Sequence, residues 1–224
     1  MDKRNGIIPV NKTNETNPPP NKEPVTLIDI SLDEHALKKL GIQNCVPNID
    51  STCFTPSECL KTIENKLFFL GVSGRKWIKQ GAHFDQFKET IERLKADADQ
   101  NDIRFLLLHP STHYFDELNG KDLPEIYIYE NWKQLANTYK RVLQVRLYSH
   151  ELIFRLQFVD GKEVAVSRYN NNSDPNGQSI PYLIFRKNAE YSLYDGFRRY
   201  FKLEWNKAMD IRKVNFSTQL NFRQ

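Results

Sequence analysis

Cysteine, long apolar runs and any strong charge imbalance are all scarce in this chain, and each scarcity removes a class of function. Three cysteines, Cys45, Cys53 and Cys59, leave one thiol over in any disulfide scheme, and their separations of eight and six residues do not make a close-paired zinc knuckle. A reduced compartment and no metal role are the expectation. Five histidines are scattered, and the one pair four apart, His109 and His113, straddles Pro110, which works against helical stacking of the rings. No stretch approaches the roughly 18 to 20 apolar residues of a membrane span. The opening Met1 to Val10 lacks the apolar centre of a signal peptide, so the expected location is the cytoplasm, with no membrane partner. A formal charge of +4, from 32 basic and 28 acidic side chains, is too mild to mark a nucleic-acid protein by itself. Any anion-binding role must rest on local clustering.

What is present is a chain of 224 residues, room for one generous domain or two small ones. Only 39% of it is hydrophobic but 12% is aromatic, so Phe and Tyr rings must supply much of the core. Residues 1–24 are rich in Asn, Pro and Lys and read as a flexible arm. Residues 25–56 read as an N-terminal extension, with a short apolar stretch from Val25 to Leu32, a brief helix from Asp33 to Leu40 with Asp33 as N-cap, and a loop carrying two of the cysteines.

From there the pattern alternates. Thr55-Pro56-Ser57-Glu58 opens a helix running to Asn65, and Leu67 to Val72 is a buried-strand run. Phe84, Phe87, Ile91 and Leu94 fall at helical spacing, Ile103 to Leu108 is a second strand run, Tyr129 to Arg141 a helix and Leu143 to Tyr148 a third strand. Strand, helix, strand in this rhythm predicts parallel strands with crossover helices. After Tyr148 the connections shorten. Leu152 to Asp160 and Glu163 to Tyr169 flank Asp160-Gly161, a tight hairpin signal, and Pro181 to Arg186 is a further strand beyond the turn-rich loop of residues 170–179. An aromatic stripe of Leu193, Phe197, Tyr200, Phe201, Trp205 and Ala208 predicts an amphipathic helix from Ser192 to about Ile211. Residues 212–224 read as a basic, aromatic tail, disordered or simply packed on the domain, with a swapped segment or a partner contact as the alternative.

Two segments carry candidate chemistry. Gly71-Val72-Ser73-Gly74-Arg75-Lys76 sets glycines and basic residues after a strand, without the full spacing of either common phosphate loop. A tight turn before the next helix is the plainer reading, with Arg75 and Lys76 as candidates for an anionic ligand at a strand's carboxyl end. The second segment joins Ile153-Phe154-Arg155-Leu156-Gln157-Phe158-Val159-Asp160 to Ser167-Arg168-Tyr169-Asn170. Its spacing resembles the phospholipase D superfamily motif HxKxxxxDxxxxxxGSxN. Arg155 falls on the Lys position, Asp160 on the Asp and Asn170 on the Asn, while Ile153 stands at the nucleophilic His and Ser167-Arg168 replace Gly-Ser. The resemblance covers about Ser57 to Ile211 and implies an α/β fold, a phospholipase D-like mixed sheet flanked by helices, as a single half-unit.

In that family a His attacks the phosphoester and a second His protonates the leaving group, roles an isoleucine cannot fill. One motif copy implies a symmetric homodimer. What survives is a phosphate-holding set of Arg155, Asp160, Ser167, Arg168 and Asn170, with Arg75 and Lys76 nearby, and no cofactor. An ordinary rim ion pair of Arg155 and Asp160 is the plain alternative. His150, with Glu151 to orient it, is the one histidine near the strand, yet five residues from Arg155 puts the two on opposite faces of a continuous strand. The resemblance therefore implies a non-catalytic sensor or accessory subunit binding a phosphate-bearing ligand, a nucleic acid or a protein partner, of the kind found in bacterial regulatory and phage-defence systems. The alternatives are an active phosphodiesterase or nuclease using His150, and a structural interaction subunit docking through its arm or tail.

Overall fold

The computed structural model describes residues 34–47, 49, 52–78, 81–113, 115, 126–168, 181–187 and 192–216. All of these lie in one compact unit, Asp33–Gln224. The arm, the apolar stretch from Val25 to Leu32, the proposed Asp33 cap, the 170–179 loop and the last eight residues lie outside the described set.

Eight strands form one mixed sheet in the order β1-β7-β6-β5-β2-β3-β4-β8. Its centre is the parallel set β2 (Lys66–Gly71), β3 (Asp102–Leu108) and β4 (Leu143–Tyr148). These runs are apolar almost throughout because both sheet faces are covered there. Phe69 and Phe105 face Trp77 of α3 (Arg75–Ile78), Phe87 of α4 (Ala82–Lys95) and Trp132 of α5 (Ile126–Thr138). Phe68, next along β2, points the other way and stacks on Phe201 of α6 (Leu193–Lys207) at 5.5 Å. Both sets of rings are almost wholly buried. Truncating one such ring costs about 3–5 kcal/mol.

The antiparallel half follows from the hairpin signal. Asp160 and Gly161, at φ 50° and 68°, turn β5 (Phe154–Val159) into β6 (Glu163–Arg168), and β5 pairs antiparallel with β2. Positive φ at both central residues is what a two-residue hairpin demands. Beyond β6 lie β7 (Tyr182–Arg186) and β1 (Ile42–Val46). Cys45, expected in a loop, sits in β1. That strand's exposed Gln43, Asn44 and Cys45 occupy a sheet margin and carry no buried-strand signature. Val46, Ile49 and Phe54 close a small second core on Ala165, Tyr182 and Ile184, so residues ahead of 57 help to build the sheet. Upstream of β1 is the short α1 (Glu34–Lys39), and α2 (Pro56–Thr62) starts where Thr55 caps the Glu58 N–H.

The last helix is shorter than its stripe suggests. Ala208 is extended, Met209–Asp210 pairs with β4 as β8, and a 3-10 turn spans Ile211–Lys213. Ile211 stays buried while the backbone changes, so apolar periodicity alone overruns the helix end. Residues 212–216, expected in a tail, form a strap instead. Val214 and Phe216 are buried, Phe216 lies 5.8 Å from the Tyr129 ring, and Lys133 donates to the Val214 carbonyl at 2.6 Å.

Candidate functional site

The carboxyl ends of β2, β3 and β4, the start of β5 and the end of β6 share one end of the sheet, because β5 runs against β2. There Arg155 stands directly opposite Ser167, and the β6–β7 register carries the same row to Tyr182. The Arg155 Nη1 donates to the Tyr182 hydroxyl at 2.7 Å, spanning Ser167. Tyr182 and Ser167 are buried, and Arg155 is half-buried. The Tyr182 contact fixes the orientation of the planar guanidinium, and fixed planar forks suit phosphate oxygens.

The other expected members distribute around this row. Arg168 is exposed and stands opposite Phe154, whose ring packs on Phe197 and Tyr200 of α6, so Arg168 belongs to the other face of the sheet from Arg155. Arg75 and Lys76 are exposed at the start of α3, after a turn in which Gly74, at φ 62°, packs against the Trp132 ring. Trp132 Nε1 also donates to the Ser73 carbonyl at 3.1 Å. Asn170 lies outside the described residues. Ile153 is 54% exposed ahead of β5.

Asp160 is at the opposite end. Five positions along β5 carry the chain about 17 Å from Arg155 to Asp160. Its carboxylate accepts backbone N–H groups from Glu64 at 3.1 Å, Asn65 at 2.8 Å and Lys66 at 3.1 Å, pinning the entry to β2. Arg155 and Asp160 therefore make neither a shared pocket nor a rim ion pair.

His150 follows β4, and β3 and β2 separate β4 from β5 in the sheet. Its Nε2 lies 2.7 Å from Oε2 of Glu204, a buried carboxylate on α6 whose Oε1 accepts from Lys207 at 3.2 Å. The approach to Oε2 is ionic in distance without the angle of a hydrogen bond. Glu204, not Glu151, is the carboxylate that meets this ring. The signal for Glu204 was an acidic residue three positions after Phe201, on the apolar stripe of α6. Tyr182 had no signal, because its partnership depends on register across three strands.

Other reactive groups are muted. Burial pushes the Cys59 thiol up to about 12 and raises Cys53 as well, which leaves both poor nucleophiles at neutral pH. His109 at the end of β3 is held below its ordinary value by burial, and its Nδ1 lies 2.7 Å from the Ser111 hydroxyl. Among the described residues no group of three His, Cys, Asp or Glu side chains is placed to hold a metal ion, and no helix is long and apolar enough to cross a membrane.

No protein-family model matches the chain, and no curated protein matches it. Solved structures of similar fold include TrmBL2, described as an archaeal chromatin protein with a novel mode of DNA binding, at 14% identity and a TM-score of 0.48 over 82% of this chain. The chain spans 56% of that protein's length. Nuc from Salmonella typhimurium, a phospholipase D family member, is 13% identical with a TM-score of 0.40, over 69% of this chain and 87% of its own. Phosphatidylserine synthase from Haemophilus influenzae is 10% identical with a TM-score of 0.43, over 70% of this chain and 36% of its own. At such identities and TM-scores the likeness carries nothing about function; the architecture itself is a large mixed sheet flanked by helices.

Proposed function

We propose that the chain is a non-catalytic domain that binds a phosphate-bearing ligand at the Arg155 end of its sheet. The observation carrying this reading is the Arg155–Tyr182 hydrogen bond above buried Ser167, which holds a guanidinium ready at a strand end. The exposed Ile153, at the position where the resembled motif has its nucleophile, supports binding without turnover. In the same reading Arg75, Lys76 and Asn170 border the ligand, two copies of the chain pair about a two-fold axis, and the domain serves as a cytoplasmic sensor or accessory subunit of a bacterial regulatory or defence system, while Arg168, on the other sheet face, takes no part.

Calorimetric titration with inorganic phosphate and with a nucleoside monophosphate tests the site. Arg155→Ala is expected to weaken binding by about 2 kcal/mol or more while the protein stays folded. Unchanged affinity in Arg155→Ala would end the proposal. A second reading, phosphodiester hydrolysis by His150, draws on its 2.7 Å approach to Glu204. It requires that wild-type protein cleave a generic phosphodiester and that His150→Ala abolish the cleavage; an inactive wild type removes it.

A further inference from the structure

The sheet face covered by α6 holds a second array of positive charge, apart from the Arg155 end. Arg104 and Arg146 project from β3 and β4, and Arg198 reaches the same face from α6. Their guanidiniums alternate with aromatic rings. The Arg146 guanidinium carbon is 4.8 Å from the centre of the Trp205 ring, and that of Arg104 is 5.3 Å from the same ring. Arg104 also lies 5.4 Å from Phe68, over which Arg198 sits at 4.1 Å. The order is Arg146, Trp205, Arg104, Phe68, Arg198. Trp205 and Phe68 are only 4% and 2% exposed, so the rings are a floor and the guanidiniums the outer layer.

Neutralisation of this ladder is uneven. Asp102 holds Arg104 through contacts of 2.9 and 2.8 Å. Arg146 donates to the Trp205 carbonyl at 2.8 Å, and Asp210, opposite it in register, is gripped by Arg212. Arg198 has no hydrogen bond or ion pair within the described residues. Burial lowers its pKa, while Tyr194 and Asp102 raise it and neighbouring Arg104 lowers it. Arginines lying over a core often do no more than shield it. Here three guanidiniums stand in a row over the rings beneath, and Arg198 keeps its N–H groups uncommitted among the described residues, an arrangement suited to successive phosphates.

We infer that this arginine–aromatic ladder docks the phosphodiester backbone of a nucleic acid without reading its bases. The buried rings offer a peptide no apolar anchor and a base no stacking platform, which leaves repeated phosphates as the partner matched by charge. Exposed Arg199, Lys202 and Lys207 on α6 continue the positive surface.

The test is fluorescence anisotropy of the full chain with a mixed-sequence DNA duplex of about 25 base pairs, titrated with salt. Each phosphate neutralised contributes about −0.9 to the slope of log affinity against log salt, so three contacts predict a slope of about −2.7 from low salt upward. Arg198→Gln and Arg146→Gln should each shrink the slope by about one, equally for any sequence. Arg198→Met keeps cover over Phe68 and serves if the Gln variant melts early. Lys61→Gln, an exposed change on α2, should leave duplex affinity unchanged, which separates this surface from a general effect of positive charge. No binding at about 50 mM salt, or binding that ignores both the Arg198 and Arg146 changes, overturns the inference. So does polyglutamate displacing the duplex as well as unlabelled DNA does, because the partner is then an acidic protein.

Discussion

The two ends of β5 began as one motif and finish as opposites. At the hairpin end the Asp160 carboxylate accepts three backbone N–H groups, and all of that hydrogen bonding holds the chain to itself. At the other end Arg155 donates to the Tyr182 hydroxyl and remains half-buried, next to exposed Ile153 and Arg168. Residues at motif spacing need not share a pocket, because five positions along an extended strand separate side chains by about 17 Å. The hairpin end fixes the frame, and the Arg155 end is where the proposed ligand would sit.

The largest effect that would break this contrast is at Asp160. Asp160→Ala should destabilise the protein by about 2–3 kcal/mol in urea unfolding, since several charge-assisted bonds vanish together, while phosphate affinity of the folded protein holds. Asp160→Asn should cost less, because Asn tolerates the positive φ found there. Next comes Tyr182→Phe, expected to lose about 1 kcal/mol of stability and to weaken phosphate binding by freeing the guanidinium. If it destabilises without touching affinity, the Arg155 end has no special role.

A pH dependence sharpens the same contrast. Burial holds the His109 imidazole below its ordinary value of 6.5, so the unfolded chain takes up that proton more readily. Its contribution to stability is complete above about pH 6.5 and declines as pH falls through the depressed folded value. His109→Gln should flatten the acid side of the stability profile, read as urea midpoints from pH 7.5 to about 5. An unchanged slope would assign the acid sensitivity elsewhere. The smallest effect is Arg168→Ala, within about 0.5 kcal/mol of wild-type stability because the side chain is exposed.

Much of the frame was legible because its residues obey one local rule at a time. The parallel strands are continuous apolar runs, the hairpin is an Asp-Gly step, and α4 and α6 carry apolar stripes. β1 escaped because a margin strand with Gln43, Asn44 and Cys45 exposed has no apolar run, and β8 because two residues make no pattern. The candidate site was legible as residue types and not as partners. Arg155 and Ser167 meet, Arg168 faces away and Asp160 is remote, all by strand register, which no spacing within a single strand can reveal. Glu204 was visible only as a charge on an apolar stripe, with its His150 contact hidden in the return of α6 over β4.

The sheet's unequal margins have a consequence for assembly. On one side β8 is a two-residue stub, closed by the Asp210–Arg212 pair and followed at once by the 3-10 turn, so it offers an incoming strand almost no template. On the other, β1 runs five residues and turns polar side chains outward. Polymerisation by adding strands would need both margins to be receptive, and one blunt side limits the sheet to a single junction. Among the described residues, the β1 margin can pair but the β8 margin gives a growing fibre no second template.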